Sequence, residues 1–249
     1  SRVKKIKKFI DHILLLFSFE KKYFEKEEIS CEFVGHPMLA EKRDDGIDIN
    51  QIIGKNKALI SVFAGSRISE INMHMPILID FIKLMKNKYS DITYVFHSNK
   101  DQNNLIHMFI KNSNLLNCEV VSDNKIKSHI LKKSIFAIVK SGTVSLEVCN
   151  AKIPSVIIYK MNYLNFIIIK ALVKIKYGNI INIAANEEII PELLQSKCNA
   201  EYIYKIVSKF LNAPLETEEQ VKKTQLVLNK LKIRGNSSEL ASQALNRFL

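Results

Sequence analysis

Two short stretches carry residue types that could hold a phosphorylated ligand. Ala64-Gly65-Ser66-Arg67 follows an apolar run of strand length, Lys57–Ala64, and precedes a helical pattern bearing Glu70. Gly65 permits a tight turn with close backbone approach, and N–H groups at a helix start favour an anion. Arg67 adds a fork of donors suited to phosphate oxygens. A helix terminus contributes only about 0.3–1 kcal/mol per charge, so Arg67 would have to supply the rest. Lys140-Ser141-Gly142-Thr143 repeats the plan after the apolar run Ile135–Val139. It opens a helix bearing Glu147, whose carboxylate could accept hydrogen bonds from ribose hydroxyls. A plainer reading of each stays open: a glycine turn with a surface arginine, and a Ser141 or Thr143 that only caps a helix. Neither stretch is a GxGxxG or a P-loop, which disfavours dinucleotide dehydrogenases and P-loop NTPases.

Other chemistry finds less support. His74, His97, His107 and His129 are dispersed, lack HExxH spacing and read as surface or packing residues. His36 is the exception, because Val34-Gly35-His36-Pro37 ends a strand in a loop that could reach a cleft. There is no GxSxG, so hydrolase chemistry is unsupported. Cys31, Cys118, Cys149 and Cys198 are scattered without a CxxC, which argues against a disulfide scaffold or a zinc module and suits a reducing compartment. No metal and no cofactor are expected.

The elements that must position the two turns follow from periodicity. Strand-length apolar runs at 57–64, 93–97, 119–121, 135–139 and 154–159 alternate with helical patterns at 71–89, 103–116, 125–133 and 143–150. Strands without polar alternation, separated by helices, predict a parallel sheet covered on both faces. The fold class expected is α/β, a Rossmann-like doubly wound unit. In that fold ligands bind beyond the carboxyl ends of strands, where both turns fall. After Pro191 the pattern reads as helical at 192–195, 200–211, 216–231 and 237–249, with Thr217 and Ser237 as plausible caps. Ahead of the α/β unit lie a helix, a strand at 13–17, a helix from Phe19 and a linker over 44–56.

The 249 residues carry a net charge of +12, with 37 Lys and Arg against 25 Asp and Glu. Residues 1–10 and 151–186 contain five basic groups each and no acid, so they hold +10 of the +12. A nucleic-acid coat would be less uneven, and only five of the basic residues are Arg, so nucleic acid is not expected as a partner. The basic opening resembles a signal peptide, but Asp11-His12 splits its apolar run and no small-residue cleavage site follows. It reads instead as a chain cut into an existing domain. Tyr163–Tyr177 is apolar but interrupted by Lys170, Lys174 and Lys176, and shorter than the roughly 20 residues of a membrane span. It is either a helix with one buried face and snorkelling lysines or an interfacial helix that meets anionic lipid.

Taken in order, Phe17–Glu27 (FSFEKKYFEKE), Phe33-Val34-Gly35-His36-Pro37, Gly65-Ser66-Arg67 with Glu70 and Ser141-Gly142-Thr143 with Leu146-Glu147 form a series. Lys152-Ile153-Pro154, and Asn182 ahead of Glu188 and Pro191-Glu192-Leu193-Leu194, complete it. The series resembles lipid-A-disaccharide synthase, a glycosyltransferase family of Gram-negative outer-membrane biogenesis, along the whole chain. The resemblance implies the C-terminal half of a GT-B architecture, in which a Rossmann-like domain binds the UDP of UDP-2,3-diacylglucosamine. The acceptor it implies is 2,3-diacylglucosamine 1-phosphate, the product a β-1,6 disaccharide, and the mode one inverting displacement without a metal. Arg67 matches the family's arginine after Gly-Ser, with diphosphate stabilisation as its natural role. Asn182 matches a loop asparagine and is carried over with Arg67 as catalytic. Gly65, Ser66, Ser141, Gly142, Thr143 and Glu147 match the nucleotide-side loops.

The departures from the family pattern are Ala64 and Ile181 where proline is usual, and Asn186 where glycine is usual. The resemblance further implies residues 1–43 as part of an acceptor-side domain, 57–200 as the UDP-sugar domain and 201–249 as C-terminal helices. The general base is expected in acceptor-side sequence not represented here, so the chain alone is expected to be inactive. A separate chain carrying that domain, or a second copy, is an expected partner, as is an anionic membrane surface at the cytoplasmic face of the inner membrane. The alternatives are another GT-B protein, such as a UDP-N-acetylglucosamine epimerase, and a non-catalytic nucleotide- or membrane-binding remnant.

Overall fold

The computed structural model describes residues 2–39, 58–163, 165–167 and 176–248. The linker expected over 44–56, and most of the Ile/Lys segment with Lys170 and Lys174, lie outside the described residues. The chain divides into two compact units, 1–43 with 226–249, and 44–225.

In the smaller unit, β1 (His12–Leu15) and β2 (Ser30–Phe33) pair in parallel with His12 opposite Ser30. Between them the chain forms a short 3-10 turn, Ser18–Glu20, and the helix Lys21–Glu25, where a helix from Phe19 was expected. The helix Ser237–Leu245 belongs to this unit, and Arg247 reaches Glu32 on β2 at 3.0 Å.

The larger unit is built on six parallel strands: β3 (Ala58–Phe63), β4 (Ile92–His97), β5 (Cys118–Val121), β6 (Ser134–Lys140), β7 (Ser155–Tyr159) and β8 (Glu192–Leu194). Their spatial order is β5-β4-β3-β6-β7-β8, which bears out the doubly wound α/β expectation. The order reverses between β3 and β6, where Ile60 to Phe63 pair with Phe136 to Val139. Both central strands are buried on both faces, which is why their sequences lack polar alternation. The helix Ile68–Lys86 crosses from β3 to β4 and buries Ile71, Met75, Leu78, Ile82 and Met85 at helical spacing. The helices Lys100–Asn112, Asn124–Lys133 and Val144–Asn150 make the remaining crossovers up to β7.

Three expectations are corrected. Residues 192–194 form strand β8, with Ile157 opposite Glu192, where helix was read. Three residues are too few to show a period, and pairing along β7 provides the main-chain partners that decide the conformation. Thr217 does not cap its helix: that helix runs from Pro214 to Leu231, begins on the proline, and Thr217 Oγ1 donates to Phe210 C=O at 3.0 Å. Asn236, one residue ahead of Ser237, caps the last helix by accepting from Ser238 N–H.

Gln220 secures the sheet from this helical region. Its Oε1 accepts from Ser155 N–H at 2.7 Å, and its Nε2 donates to Ser155 C=O at 3.1 Å and to Ile189 C=O at 3.3 Å. Gln220 is buried, so Gln220→Leu strands the Ser155 N–H and carbonyl at the start of β7. A stability loss of about 1–3 kcal/mol is expected in urea denaturation. An unchanged midpoint would show that the clamp is dispensable.

Candidate functional site

β3 delivers the chain into Ala64-Gly65-Ser66-Arg67 at the point where the sheet order reverses. Gly65 has φ +137°, and a Cβ there would lie 2.6 Å from Glu70 Cβ and 2.8 Å from its Oε2. The turn therefore closes only on glycine, because Glu70 fills the space a side chain would need. Glu70 Oε2 accepts from Ser66 N–H at 3.0 Å, so the carboxylate one turn along satisfies a donor at the start of the helix. Its Oε1 accepts from an Arg67 guanidinium nitrogen at 3.2 Å and lies 2.9 Å from Lys140 Nζ, at the end of β6. One nearly buried carboxylate thus joins the turns after both central strands. Burial alone would raise its pKa, but the hydrogen bonds from Lys140 and Ser66 and the charges of Lys140 and Arg67 hold it below the ordinary value. The Arg67 side chain is 76% exposed, and only one of its nitrogens is used by Glu70, so most of the guanidinium is open to a ligand.

On the β6 side, the Lys140 ammonium also lies over the Tyr159 ring at 5.2 Å. Ser141 N–H donates to Ile158 C=O at 3.1 Å and its Oγ donates to Gly178 C=O at 2.8 Å. Gly142 and Thr143 are exposed, and Thr143 sits at the start of the helix Val144–Asn150 without a side-chain cap bond. Glu147 follows one turn later, held by Lys127 with Nζ 2.9 Å from Oε2 and 3.1 Å from Oε1.

A third turn, after β7, completes one wall. His74 is fully buried on the helix Ile68–Lys86, and its two ring nitrogens face different loops. Lys160 N–H donates to Nε2 at 3.0 Å, so the proton sits on Nδ1 and is donated to Ala64 C=O at 2.7 Å. Burial lowers the pKa of this imidazole, which keeps it in the neutral form that both bonds require. Between the β3 and β7 turns lies a cleft of about 390 Å³ whose lining includes Arg67, Glu70, Met73, Lys160 and Asn162.

Asn182 stands apart from this lining. It is buried on the short helix Ile180–Ala185. Its Nδ2 donates to Ile190 C=O at 2.7 Å and to Glu192 Oε1 at 2.8 Å, and its Oδ1 accepts from Ile189 and Ile190 N–H at 3.0 Å each. All the hydrogen-bonding capacity of its amide is therefore spent within the protein. Glu192 in turn accepts from Gly178 N–H at 2.7 Å and Asn179 N–H at 3.0 Å. A bonded path runs from Asn182 through Glu192 and Gly178 to Ser141.

The structure therefore brings Gly65, Ser66 and Arg67 together with the Ser141-Gly142-Thr143 turn through the Glu70–Lys140 pair, with Glu147 on the adjoining helix. His74 and Lys160 were not singled out as site residues from sequence, and Lys140 stood in the second stretch without a role of its own. Lys140 and Lys160 each occupy the carboxyl end of a strand, and His74 lies four residues from Glu70, which were the available signals. His97 is buried and stacks on Phe63 with ring centroids 4.4 Å apart, as a packing residue.

Residues 1–247 match the family model described as lipid-A-disaccharide synthetase. Relatives include the lipid-A-disaccharide synthases of Rickettsia prowazekii (strain Madrid E), 34% identical over 235 residues, and Rickettsia canadensis (strain McKiel), 33% identical over 239 residues. Those alignments cover 93% and 94% of this chain and 61% of each relative, so the chain spans about three fifths of their length. Among solved structures, the UDP co-structure of S. aureus MnaA matches over 98% of this chain and 61% of its own, with a TM-score of 0.65 at 13% identity. WaaG, a glycosyltransferase involved in lipopolysaccharide biosynthesis, matches over 92% of this chain and 61% of its own, with a TM-score of 0.54 at 12% identity. At such identities the likeness is one of fold, as is that to a UDP-GlcNAc 2-epimerase from Neisseria meningitidis, with a TM-score of 0.51 at 15% identity over 80% of this chain and 46% of its own.

The depressed Glu70 pKa has a consequence for stability. The ionised carboxylate stabilises the fold above the ordinary value of 4.5, and that contribution is lost as pH falls through the lower folded value. Wild type is therefore expected to exceed Glu70→Gln in stability at neutral pH, and the difference to shrink in acid below that value. Denaturant melts of both proteins across that range check the sign; a gap that widens in acid would contradict the assigned pairing.

Proposed function

The chain belongs to the lipid-A-disaccharide synthetase family, and from that membership we propose that its larger unit binds the UDP moiety of UDP-2,3-diacylglucosamine for glycosyl transfer. The reaction proposed joins 2,3-diacylglucosamine in β-1,6 linkage to 2,3-diacylglucosamine 1-phosphate. The acceptor hydroxyl oxygen forms a bond to the anomeric carbon as the bond to the UDP oxygen breaks, UDP leaves with the electron pair, and the anomeric centre inverts. The hydroxyl proton goes to a base that is not among the residues assigned here.

The observation that carries this reading is the Glu70 bridge at the strand-order reversal, which orients Arg67 while leaving most of its guanidinium exposed. Arg67 receives the diphosphate and stabilises the charge that builds on the leaving UDP, with the Gly65 and Ser66 backbone beside it. Ser141, Gly142 and Thr143 flank the nucleotide, and Glu147 accepts from ribose hydroxyls, its carboxylate oriented by Lys127. Asn182 acts as a positioning residue that fixes the 178–192 loop behind Ser141. The reading calls on no cofactor.

No helix among the described residues is long and apolar enough to cross a membrane. Peripheral contact with anionic lipid at the cytoplasmic face of the inner membrane is part of the proposal. Its support is the acylated substrates and the exposure of Tyr163 (73%) and Ile167 (48%) beside the cleft residues Asn162 and Asn165.

Titration calorimetry with UDP tests the nucleotide assignment. Arg67→Ala is expected to weaken UDP by about 10–100-fold, and Arg67→Lys by less, since lysine keeps the charge and loses the fork. Equal affinity in wild type and Arg67→Ala would remove the diphosphate assignment. The transfer is tested by joining the chain to the part of a Rickettsia relative that it does not align with and following disaccharide formation by mass spectrometry. Product that vanishes with Arg67→Ala is the expected result; product indifferent to that change counts against the role.

A further inference from the structure

In the smaller unit the turn after β2 leaves a second polar cavity, independent of the nucleotide reading. Gly35 has φ +79°, and a Cβ there would lie 2.5 Å from Ile233 Cγ2 and 3.2 Å from Ser237 Oγ. This close approach places His36 against the segment that leads into the helix Ser237–Leu245. A cavity of about 350 Å³ opens there, its lining including His36, Leu39, Lys232, Gly235, Asn236 and Ser237.

Several of its polar groups are donors without partners among the described residues. His36 is only 8% exposed, and its Nδ1 accepts from Met38 N–H at 3.1 Å, which places the ring proton on Nε2. That Nε2–H has no partner among the described residues. Ser237 is 9% exposed, and its Oγ likewise has no hydrogen bond among the described residues. Asn236 Oδ1 accepts from Ser238 N–H at 2.8 Å, leaving the Ser237 N–H at the helix start without a protein acceptor among the described residues. Lys232 adds an ammonium with no ion pair among the described residues. Glu239 is the acid in the first helical turn; it is exposed and does not line the cavity.

Two nine-tenths-buried donors, a free N–H at the start of a nine-residue helix and a lysine gather around this one cavity. We propose that this cavity binds a phosphate oxyanion in the form of inorganic phosphate or a phosphate monoester. Burial lowers the His36 pKa, so the ring acts as a neutral N–H donor and the charge is met by Lys232 and the helix terminus.

The test is a ¹H–¹⁵N titration of the full chain at constant ionic strength with three probes: sodium phosphate, glucosamine 1-phosphate, and vesicles containing phosphatidic acid against neutral vesicles. Saturable shifts at the His36 ring, Ser237 and Glu239 signals are expected with at least one probe. The tightest probe tells a free ion from a sugar phosphate or a lipid headgroup. His36→Asn keeps an acceptor for Met38 and loses the outer donor. It is expected to weaken binding about tenfold, as are Ser237→Ala and Lys232→Ala, while His36→Gln, which restores a donor, recovers most of it. Ser237→Ala and Lys232→Ala carry the test should a His36 variant fail to fold. No saturable shift with any probe, or equal affinity across the folded variants, overturns the assignment.

Discussion

The geometry of the candidate nucleotide site depends on one nearly buried carboxylate. Glu70 could not stay ionised in that setting without partners, because an isolated buried charge costs several kcal/mol even after relaxation. It finds them in the Ser66 N–H, Arg67 and Lys140, two on the turn after β3 and one at the end of β6. The distance across the crevice is thereby tied to the satisfaction of one charge. Gly65 follows from the same fact, since the carboxylate occupies the place of its side chain. The spacing Gly65-Ser66-Arg67 with Glu70 is one constraint expressed at four positions.

Two further polar side chains extend the arrangement. His74 connects the β3 turn to the β7 turn through opposite ring nitrogens, and Glu192 connects the Gly178–Asn179 backbone to Asn182. Each is satisfied within the protein, so the loops around the crevice are held before any ligand arrives. Preorganisation of this kind lets an exposed arginine act on developing charge without reorganising at the moment of reaction. The partly satisfied groups lie where a ligand could reach them: the Arg67 guanidinium and Lys160 at the cleft, and Gly142 and Thr143 on the exposed β6 turn.

How far this was legible in the sequence depended on the range of the interaction. The central strands announced themselves because burial on both faces forces continuous apolar runs, and the turns because glycine and arginine stand directly after them. β8 was not visible: three residues carry no period, and its partner β7 lies more than thirty positions earlier in the chain. The Glu70–Lys140 pair and the Gln220 clamp on Ser155 were hidden for the same reason, being side-chain bonds between residues separated by 70 and 65 positions. Asn182 was legible as a motif residue but not in its role, because only the structure reveals that its amide is already committed.

Two departures from the pattern that the sequence resembles have a physical account in the structure. Ile181, where the resemblance leads to proline, donates its N–H to Asn179 Oδ1 at 2.9 Å, a bond proline could not make. The helix start that a proline would preorganise is held here by a side-chain cap. Asn186, where the resemblance leads to glycine, ends the same short helix at φ +53°, the left-handed region that asparagine tolerates better than other residues with a side chain. Its N–H still reaches back to the preceding turn, closing the helix as glycine would. Both residues help hold the loop whose Gly178 carbonyl accepts from Ser141 Oγ. At both positions the residue present is compatible with the course of the loop. In the proposed role, position 67 calls for a fixed, forked positive charge, which arginine supplies and lysine does not.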